Sequence, residues 1–134
     1  MTGSLVALDT NYAIALLAGE TGAIAAIQGF DEMCLPVPVL GELKYGAMNS
    51  ERSAANLNAV ESLVGRCRIL SVDAQSAQLY ADVRLALKRI GRPIPENDVW
   101  IAALCLQHSA VLATVDAHFG FVAGVRLVRP GEPI

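Results

Sequence analysis

Four acidic residues lie where apolar runs end or where helices are expected to begin. Asp9 and Asp116 each close a short apolar run, Glu42 follows another, and Asp98 precedes a long apolar segment. A carboxylate beside apolar surface is costly unless it is paired, hydrogen-bonded or bound to a cation. We therefore predict that Asp9, Glu42, Asp98 and Asp116 converge in the folded chain as the catalytic acids and the ligands of a metal ion.

An all-oxygen ligand set indicates a hard cation, Mg²⁺, with Mn²⁺ as the alternative. Mg²⁺ usually keeps several of its waters, which suits a site for phosphate substrates better than a closed structural site. The ion would lower the pKa of a bound water, orient it for in-line attack and offset charge on the phosphoryl oxygens. The predicted chemistry is hydrolysis of a phosphodiester without a protein nucleophile.

The sequence lacks the motifs of competing chemistries. It has no Gly-x-Ser-x-Gly run, no P-loop and no Gly-x-Gly-x-x-Gly, which argues against a serine triad and against the usual nucleotide cradles. A phosphatase on a similar sheet would need Asp-x-Asp-x-Thr where this chain has Asp9-Thr10-Asn11, and a receiver would need a late lysine. No lysine follows Arg92.

Strands and helices must alternate to position these acids. The predicted strands cover residues 5–8, 33–35, 66–71, 110–115 and 125–128. The predicted helices cover residues 12–17, 21–29, 38–48, 54–64 and 99–108, and the longest runs from a cap at Asp73 to Gly91. This order predicts a single α/β domain, residues 1–134, built as a three-layer α/β/α sandwich around a central parallel sheet of about five strands. In such sheets, sites form at the carboxyl ends of strands near a topological switch point.

Local signals refine the helices. Thr10 and Asn11 offer a cap for the first helix, a role that Asp9 at the end of the strand could fill just as well. Three consecutive residues, Glu96-Asn97-Asp98, read as an acidic cap for the helix of residues 99–108. The longest helix has an apolar stripe expected to face the core: Ala77, Tyr80, Val83, Leu87 and Ile90.

The composition of the chain indicates the environment and the contacts that it is expected to have. Hydrophobic residues make up 54% of its 134 residues and charged residues only 17%, so some apolar surface is expected to meet a partner. No apolar run approaches the roughly 20 residues of a membrane span. The start, Met1-Thr2-Gly3-Ser4, lacks the features of a signal peptide, so we expect a cytoplasmic protein. The three cysteines are widely spaced and are expected to be buried free thiols: Cys34, Cys67 and Cys105.

Four segments together resemble the signatures of the PIN-domain ribonucleases, and most of all those of VapC-type toxins. They are Leu8-Asp9-Thr10-Asn11, Gly41-Glu42-Leu43, Pro95-Glu96-Asn97-Asp98-Val99-Trp100-Ile101-Ala102-Ala103, and Ala113-Thr114-Val115-Asp116-Ala117-His118-Phe119. The resemblance covers almost the whole chain. It implies that the four acids bind the metal, that Thr114 helps to hold the site, and that the substrate is RNA. It also implies a homodimer and a separately encoded antitoxin.

Other residues have two interpretations each. Asn11 could contact a metal-bound water or cap a helix, and Glu96 could support the site or stabilise the helix dipole. His118 could contact a phosphate, although an exposed loop position is the simpler interpretation, and Trp100 could stack on a base or serve packing.

A net charge of −3 gives no general attraction for nucleic acid. Local cations would therefore have to contact the RNA phosphates, and the candidates are Lys44, Arg84, Lys88 and Arg92. A solvated helix end that complements the helix dipole explains the last three equally well.

The leading hypothesis is a Mg²⁺-dependent endoribonuclease that acts as the toxin of a type II toxin–antitoxin system. The alternative is a regulatory partner that forms a DNA-binding complex with its antitoxin and has little nuclease activity of its own. Growth arrest on expression of the chain alone separates the two.

Overall fold

A computed structural model describes residues 4–131 of the chain. Within them, five strands form one sheet: β1 (Leu5–Leu8), β2 (Glu32–Pro36), β3 (Cys67–Leu70), β4 (Val111–Ala113) and β5 (Leu127–Val128). Six α-helices flank it over the same residues: α1 (Thr10–Leu17), α2 (Thr21–Ile27), α3 (Val37–Met48), α4 (Ser53–Val64), α5 (Ala74–Arg89) and α6 (Glu96–His108). A 3₁₀ helix, Ala117–Phe121, precedes β5. The predicted α/β sandwich is confirmed.

The strand order is β3-β2-β1-β4-β5, and every neighbouring pair is parallel. From β1 the chain first adds β2 and β3 on one side and later adds β4 and β5 on the other. The switch point therefore lies between β1 and β4, where Leu8 pairs with Ala113. Asp9 follows β1 directly and Asp116 follows β4 after two residues, so both aspartates reach the edge where parallel sheets form their sites.

Some predicted boundaries were too long. Strand β4 ends at Ala113 and not at residue 115, and β5 has two residues where four were predicted. The Thr114 N–H still donates to the Val128 carbonyl of β5 at 3.0 Å, but its hydroxyl contacts Asp9 after β1 and the backbone of Asp116, where the regular strand has ended. The expectation about a signal peptide concerns residues 1–3, which lie outside the described residues. No helix within residues 4–131 has both the length and the apolar character needed to cross a bilayer.

Of the three residues considered as caps of α1, Asp9 has that role. The N-cap is Asp9, whose carboxylate accepts a hydrogen bond from the Tyr12 N–H at 2.8 Å, whereas Thr10 and Asn11 already lie within the helix or its first turn. A carboxylate in this position satisfies one of the unpaired N–H groups of the first turn. Asp9 therefore combines a structural role with its place at the sheet edge.

Helix α6 begins earlier than predicted. Pro95 is the N-cap, and Glu96 and Asp98 lie in the first turn, where their charges complement the helix dipole. The residues predicted as a cap are therefore part of the helix, and their side chains project from different sides of its first turn.

The core face of α5 is partly different from its predicted stripe. Val83 and Leu87 are buried, but Ile90 is 58% exposed because the helix ends at Arg89, and Ala77 is also exposed. Ser76 is buried instead of Ala77. Its hydroxyl donates a hydrogen bond to Gln107 of α6, which joins the two helices at this end.

Candidate active site

Asp9 is the most buried of the four acids, with only 2% of its surface exposed. One carboxylate oxygen caps α1, and the other accepts a hydrogen bond from the Thr114 hydroxyl. Its backbone N–H also donates to the Ala113 carbonyl of β4 at 3.1 Å. The side chain is therefore fixed by the first turn of α1 and by the residue that follows β4, while the backbone of Asp9 is held by β4.

Thr114 connects two of the acids. Its hydroxyl donates to Asp9 and accepts the backbone N–H of Asp116 at 2.9 Å. Because Thr114 is fully buried, this pair of hydrogen bonds sets where the chain leaves β4. The position of Asp116 thus depends on the same hydroxyl that orients Asp9.

Glu42 reaches the edge from α3. The apolar residues Val39, Leu43 and Ala47 bury one face of this helix, and Glu42 lies at the border of that face. Its carboxylate accepts a hydrogen bond from the Thr10 hydroxyl at 2.9 Å. Thr10 belongs to α1, so this contact ties Glu42 to the residue that follows Asp9.

Asp98 projects from the first turn of α6 and contacts His118. The distance between His118 Nε2 and Asp98 Oδ2 is 2.7 Å. Whenever Asp98 is ionised its carboxylate only accepts hydrogen bonds, and His118 Nε2 is then the donor. The His118 ring also packs against Phe119, with ring centroids 4.8 Å apart. The 3₁₀ helix therefore contacts Asp98 through His118.

The four carboxylates line one cavity of about 260 Å³. The same cavity is lined by Thr10, Asn11, Pro95 and Asn97. Its walls come from the end of β1, the start of α1, α3, the first turn of α6 and the segment after β4. The predicted convergence of acids from four separate segments is thus present in the structure.

The acids influence one another electrostatically. Burial raises the pKa of Asp9; hydrogen bonds from Thr114 and Tyr12 oppose the rise, and the charges of Asp116 and Asp98 add to it. Burial likewise raises the pKa of Asp98; the contact with His118 opposes the rise, and the charges of Asp116 and Glu42 add to it. The folded chain therefore holds several carboxylates that repel one another in a partly desolvated cavity.

The donor set fits a hydrated hard cation. Within residues 4–131, no three His, Cys, Asp or Glu side chains are already gathered as direct ligands of a metal ion. Mg²⁺ does not need such a cluster, since it usually binds through one or two carboxylates and keeps waters that reach the other groups. Asp9, Glu42, Asp98 and Asp116 are the residues that would hold it, and its charge would relieve their mutual repulsion.

Residues 6–125 match the family model of the PIN domain. The chain belongs to the PIN-domain family. It is 30% identical over 122 residues to the tRNA(fMet)-specific endonuclease VapC of Shigella flexneri, covering 89% of this chain and 92% of that protein. It is 32% identical over 125 residues to the ribonuclease VapC5 of Mycobacterium tuberculosis, covering 91% and 90%.

The solved structure of DNA-bound VapBC from Salmonella typhimurium contains a similar chain. The two are 28% identical with a TM-score of 0.86, and the match covers 94% of this chain and 98% of that one. The resemblance to VapC-type PIN domains is therefore confirmed.

Three residues with two interpretations each are now placed relative to the PIN-domain site. Glu96 faces α5 and accepts a hydrogen bond from the Tyr80 hydroxyl at 2.8 Å, so it does not line the acidic cavity. Trp100 stacks on the same Tyr80, with centroids 4.1 Å apart, and so has the packing role. Asn11 does line the cavity, although it is not the cap of α1.

The four candidate cations are spread over the surface of the PIN domain. Lys44 forms an exposed ion pair with Glu61 at 3.4 Å. Arg92 lies over the Phe121 ring, 4.9 Å from its centroid. Arg84 and Lys88 line a separate cavity between α5 and α6. The four do not form a single patch.

Two contacts of the site were missed by sequence reasoning. Thr10 was interpreted as a cap and instead donates to Glu42, and His118 was interpreted as an exposed loop residue and instead contacts Asp98. No spacing rule indicates the second contact, because the two residues are 20 positions apart and meet only when the 3₁₀ helix folds over α6. The hydroxyl directly after Asp9 was a visible signal for the first.

Proposed function

We propose that this protein is a metal-dependent endoribonuclease, the toxin of a toxin–antitoxin pair, and that it hydrolyses RNA phosphodiester bonds. The observation that supports this most is the single cavity lined by Asp9, Glu42, Asp98 and Asp116 at the switch point of a PIN-domain sheet. The names of the VapC relatives, endonuclease and ribonuclease, support RNA as the substrate.

The residues of the site have two roles: the carboxylates would hold the ion, and their hydrogen-bond partners orient the carboxylates. Bound Mg²⁺ would lower the pKa of a water molecule bound to it and would offset negative charge on the scissile phosphate. Thr114 and Thr10 orient the carboxylates of Asp9 and Glu42, which are two of the residues that would hold the ion. His118 orients Asp98 in the same way.

A direct experiment tests the reaction. The purified chain is incubated with total tRNA in Mg²⁺ and in excess EDTA, beside Asp98→Asn at the same concentration. We expect cleavage only for the unaltered chain with Mg²⁺, and folded Asp98→Asn by circular dichroism. Equal cleavage in EDTA, or full activity of Asp98→Asn, would refute the metal mechanism.

We propose an antitoxin as partner and a homodimer as the assembly. Large apolar side chains are exposed on α3, where Tyr45 and Met48 are 69% and 66% exposed. A groove between α1, α3 and α4 is lined by apolar residues such as Ile14 and Leu17, and Glu42 lines both this groove and the acidic cavity. A segment bound in the groove would therefore reach the acids.

The regulatory alternative draws support from the DNA-bound complex of the Salmonella typhimurium relative. It predicts no growth arrest when the chain is expressed alone in soluble form. The nuclease proposal predicts arrest that Asp98→Asn abolishes, and mapping of cellular RNA ends in the two strains would identify the substrate.

A further inference from the structure

A second cavity lies beside the acidic one, across the first turn of α6. It has a volume of about 420 Å³ and lies between α5, the connection before α6, and α6 itself; its charged or polar lining residues are Tyr80, Arg84, Lys88 and Glu96. Residues of one segment, 93–99, are divided between the two cavities. Ile94, Glu96 and Val99 line the second, while Pro95, Asn97 and Asp98 line the first.

We propose that this second cavity is a nucleotide subsite, which binds a residue of the RNA next to the scissile phosphate. The inference rests on the proposed ribonuclease function. Only one helical turn separates the cavities, and an α-helix with its side chains is about 10–12 Å across. A strand whose phosphate lies at the acids therefore has neighbouring nucleotides within reach of the second cavity.

The charge of the cavity favours a polyanion such as RNA over a basic or neutral partner. Arg84 and Lys88 contribute two positive charges against one negative charge from Glu96, although the whole chain carries −3. Lys88 has no salt-bridge partner among residues 4–131. A cation without a partner beside an acidic catalytic cavity is suited to a phosphate of the substrate backbone.

Arg84 is held in position by a chain of hydrogen bonds. Arg84 Nη1 donates to the Tyr80 hydroxyl at 2.7 Å, and that hydroxyl donates to Glu96 Oε1 at 2.8 Å. Trp100 stacks on the Tyr80 ring. The remaining N–H groups of the guanidinium are available to a phosphate or a base edge. Glu96 is thus a positioning residue that acts through Tyr80.

The floor of the cavity is apolar, formed by Leu87, Ile94 and Val99. An apolar floor with cations at its rim matches a nucleotide, whose base is flat and largely apolar on its faces and whose phosphate is charged. A subsite of this kind differs from a diffuse positive surface in a testable way. A larger side chain that fills the apolar floor should weaken RNA binding, as should removal of a positive charge.

Trp100 provides a local reporter of occupancy. It is the single tryptophan of the chain, and it stacks on Tyr80, which lines the cavity. The probe is a single-stranded RNA 12-mer of mixed sequence, titrated with Mg²⁺ into Asp116→Asn protein so that it is not cleaved. We expect a saturable change of Trp100 fluorescence, with an affinity that matches fluorescence anisotropy of labelled RNA.

Three substitutions then test the cavity against a matched control. Lys88→Gln and Arg84→Gln should each weaken binding at least about fivefold and reduce the slope of log K against log salt by about 0.7. Ile94→Phe fills the floor without a change of charge and should also weaken binding. Arg89→Gln removes the neighbouring cation of the same helix, which does not line the cavity, and should change affinity less than twofold.

The positioning role of Glu96 has its own control. Glu96→Ala should weaken RNA binding, whereas Glu96→Gln, which keeps an acceptor for the Tyr80 hydroxyl, should restore it. Neither should alter the Mg²⁺ concentration at half-maximal cleavage in the otherwise unaltered chain, since Glu96 lies outside the acidic cavity.

Some outcomes would overturn the inference while leaving the proposed function intact. One is metal-dependent cleavage by the unaltered chain with equal binding by all the variants; another is the same loss for Arg89→Gln as for Lys88→Gln, which would indicate diffuse attraction. A change of oligomeric state in Ile94→Phe by size-exclusion chromatography would assign the cavity to a subunit contact. Absence of any metal-dependent cleavage by the unaltered chain would instead refute the ribonuclease itself.

Discussion

Asp9 and Asp73 have the same local role and opposite electrostatic surroundings. Each is the N-cap of a helix, and each accepts a hydrogen bond from a backbone N–H three residues later, Tyr12 and Ser76. Burial and the charges of Asp116 and Asp98 raise the pKa of Asp9. Hydrogen bonds from Ser76 and Gln107 lower the pKa of Asp73, which is exposed.

The difference shows what separates a functional acid from a structural one in this fold. A cap explains the presence of an aspartate at either position. Only Asp9 is placed in a desolvated cavity beside other acids, where its charge destabilises the free protein and suits a cation. The acidic cavity is therefore costly to the fold, while the capping network at Asp73 supports it.

The largest expected effect is on activity. Asp9→Asn preserves the shape of the cap and removes the charge, so we expect RNA cleavage to fall by more than about 100-fold, beyond the 10–100-fold typical of losing a supporting contact. Asp73→Asn makes the same chemical change far from the cavity and should leave cleavage within about twofold. Initial rates of cleavage of total tRNA in Mg²⁺ measure both. Equal losses in the two variants would contradict a catalytic role for the charge of Asp9, because Asp73 lies outside the acidic cavity.

The hydroxyl partners of the two caps should also behave differently. Thr114→Val removes the hydrogen bonds to Asp9 and to the Asp116 N–H, and we expect about a 10–100-fold loss of activity. Thr114→Ser keeps the hydroxyl and should restore most of it. Ser76→Ala removes the corresponding hydroxyl beside Asp73 and should lower the melting temperature without a loss of rate. A Thr114→Ser variant as impaired as Thr114→Val would indicate a packing role.

The sequence predicted the elements and the edge of the sheet because both follow from short-range patterns. Strand β1 was predicted at its observed bounds, and the ends of β1 and β4 at the switch point followed from the alternation of strands and helices. The four acids line one cavity because the segments that carry them meet at this edge of the sheet. Patterns along the chain carry information of this kind wherever periodicity reflects burial.

The sequence could not predict which side chain contacts which. Glu96 and Asp98 are two positions apart in one helical turn, and this spacing directs the first towards Tyr80 and the second into the acidic cavity. That outcome depends on the rotation of α6 against the sheet, which its buried residues set together. The contact between His118 and Asp98 depends on a 3₁₀ helix with no periodic signal.

Stability without metal should change in opposite directions at the two caps. Asp9→Asn removes a charge that the fold disfavours, so we expect its melting temperature in EDTA to rise by a few degrees. Asp73→Ala removes a cap and should lower it. Mg²⁺ should raise the melting temperature of the unaltered chain, because a ligand that binds only the folded state stabilises it. It should raise that of Asp9→Asn much less, as thermal scans with and without Mg²⁺ would reveal.

The smallest expected effect is the pH dependence, in EDTA, of the differences in melting temperature between the unaltered chain and its variants. The pKa of Asp9 is raised in the folded state, so its ionised form weakens the fold at neutral pH. The advantage of Asp9→Asn should therefore shrink as the pH falls through that raised pKa towards about 3.9, the ordinary value. The pKa of Asp73 is lowered, so its contribution is present above about 3.9 and is lost only below it.

Melting temperatures of the unaltered chain, Asp9→Asn and Asp73→Asn between neutral and acidic pH would resolve the two curves. Asp9→Asn should melt above the unaltered chain, and this difference in melting temperature should vanish first as the pH is lowered. Asp73→Asn should melt below the unaltered chain, and that difference should vanish at lower pH. If both differences vanished over the same range, burial beside Asp116 and Asp98 would not distinguish Asp9 from an ordinary cap. Loss of the differences in the expected order would assign the cost of the cavity to its charges, because the two aspartates share the same capping geometry.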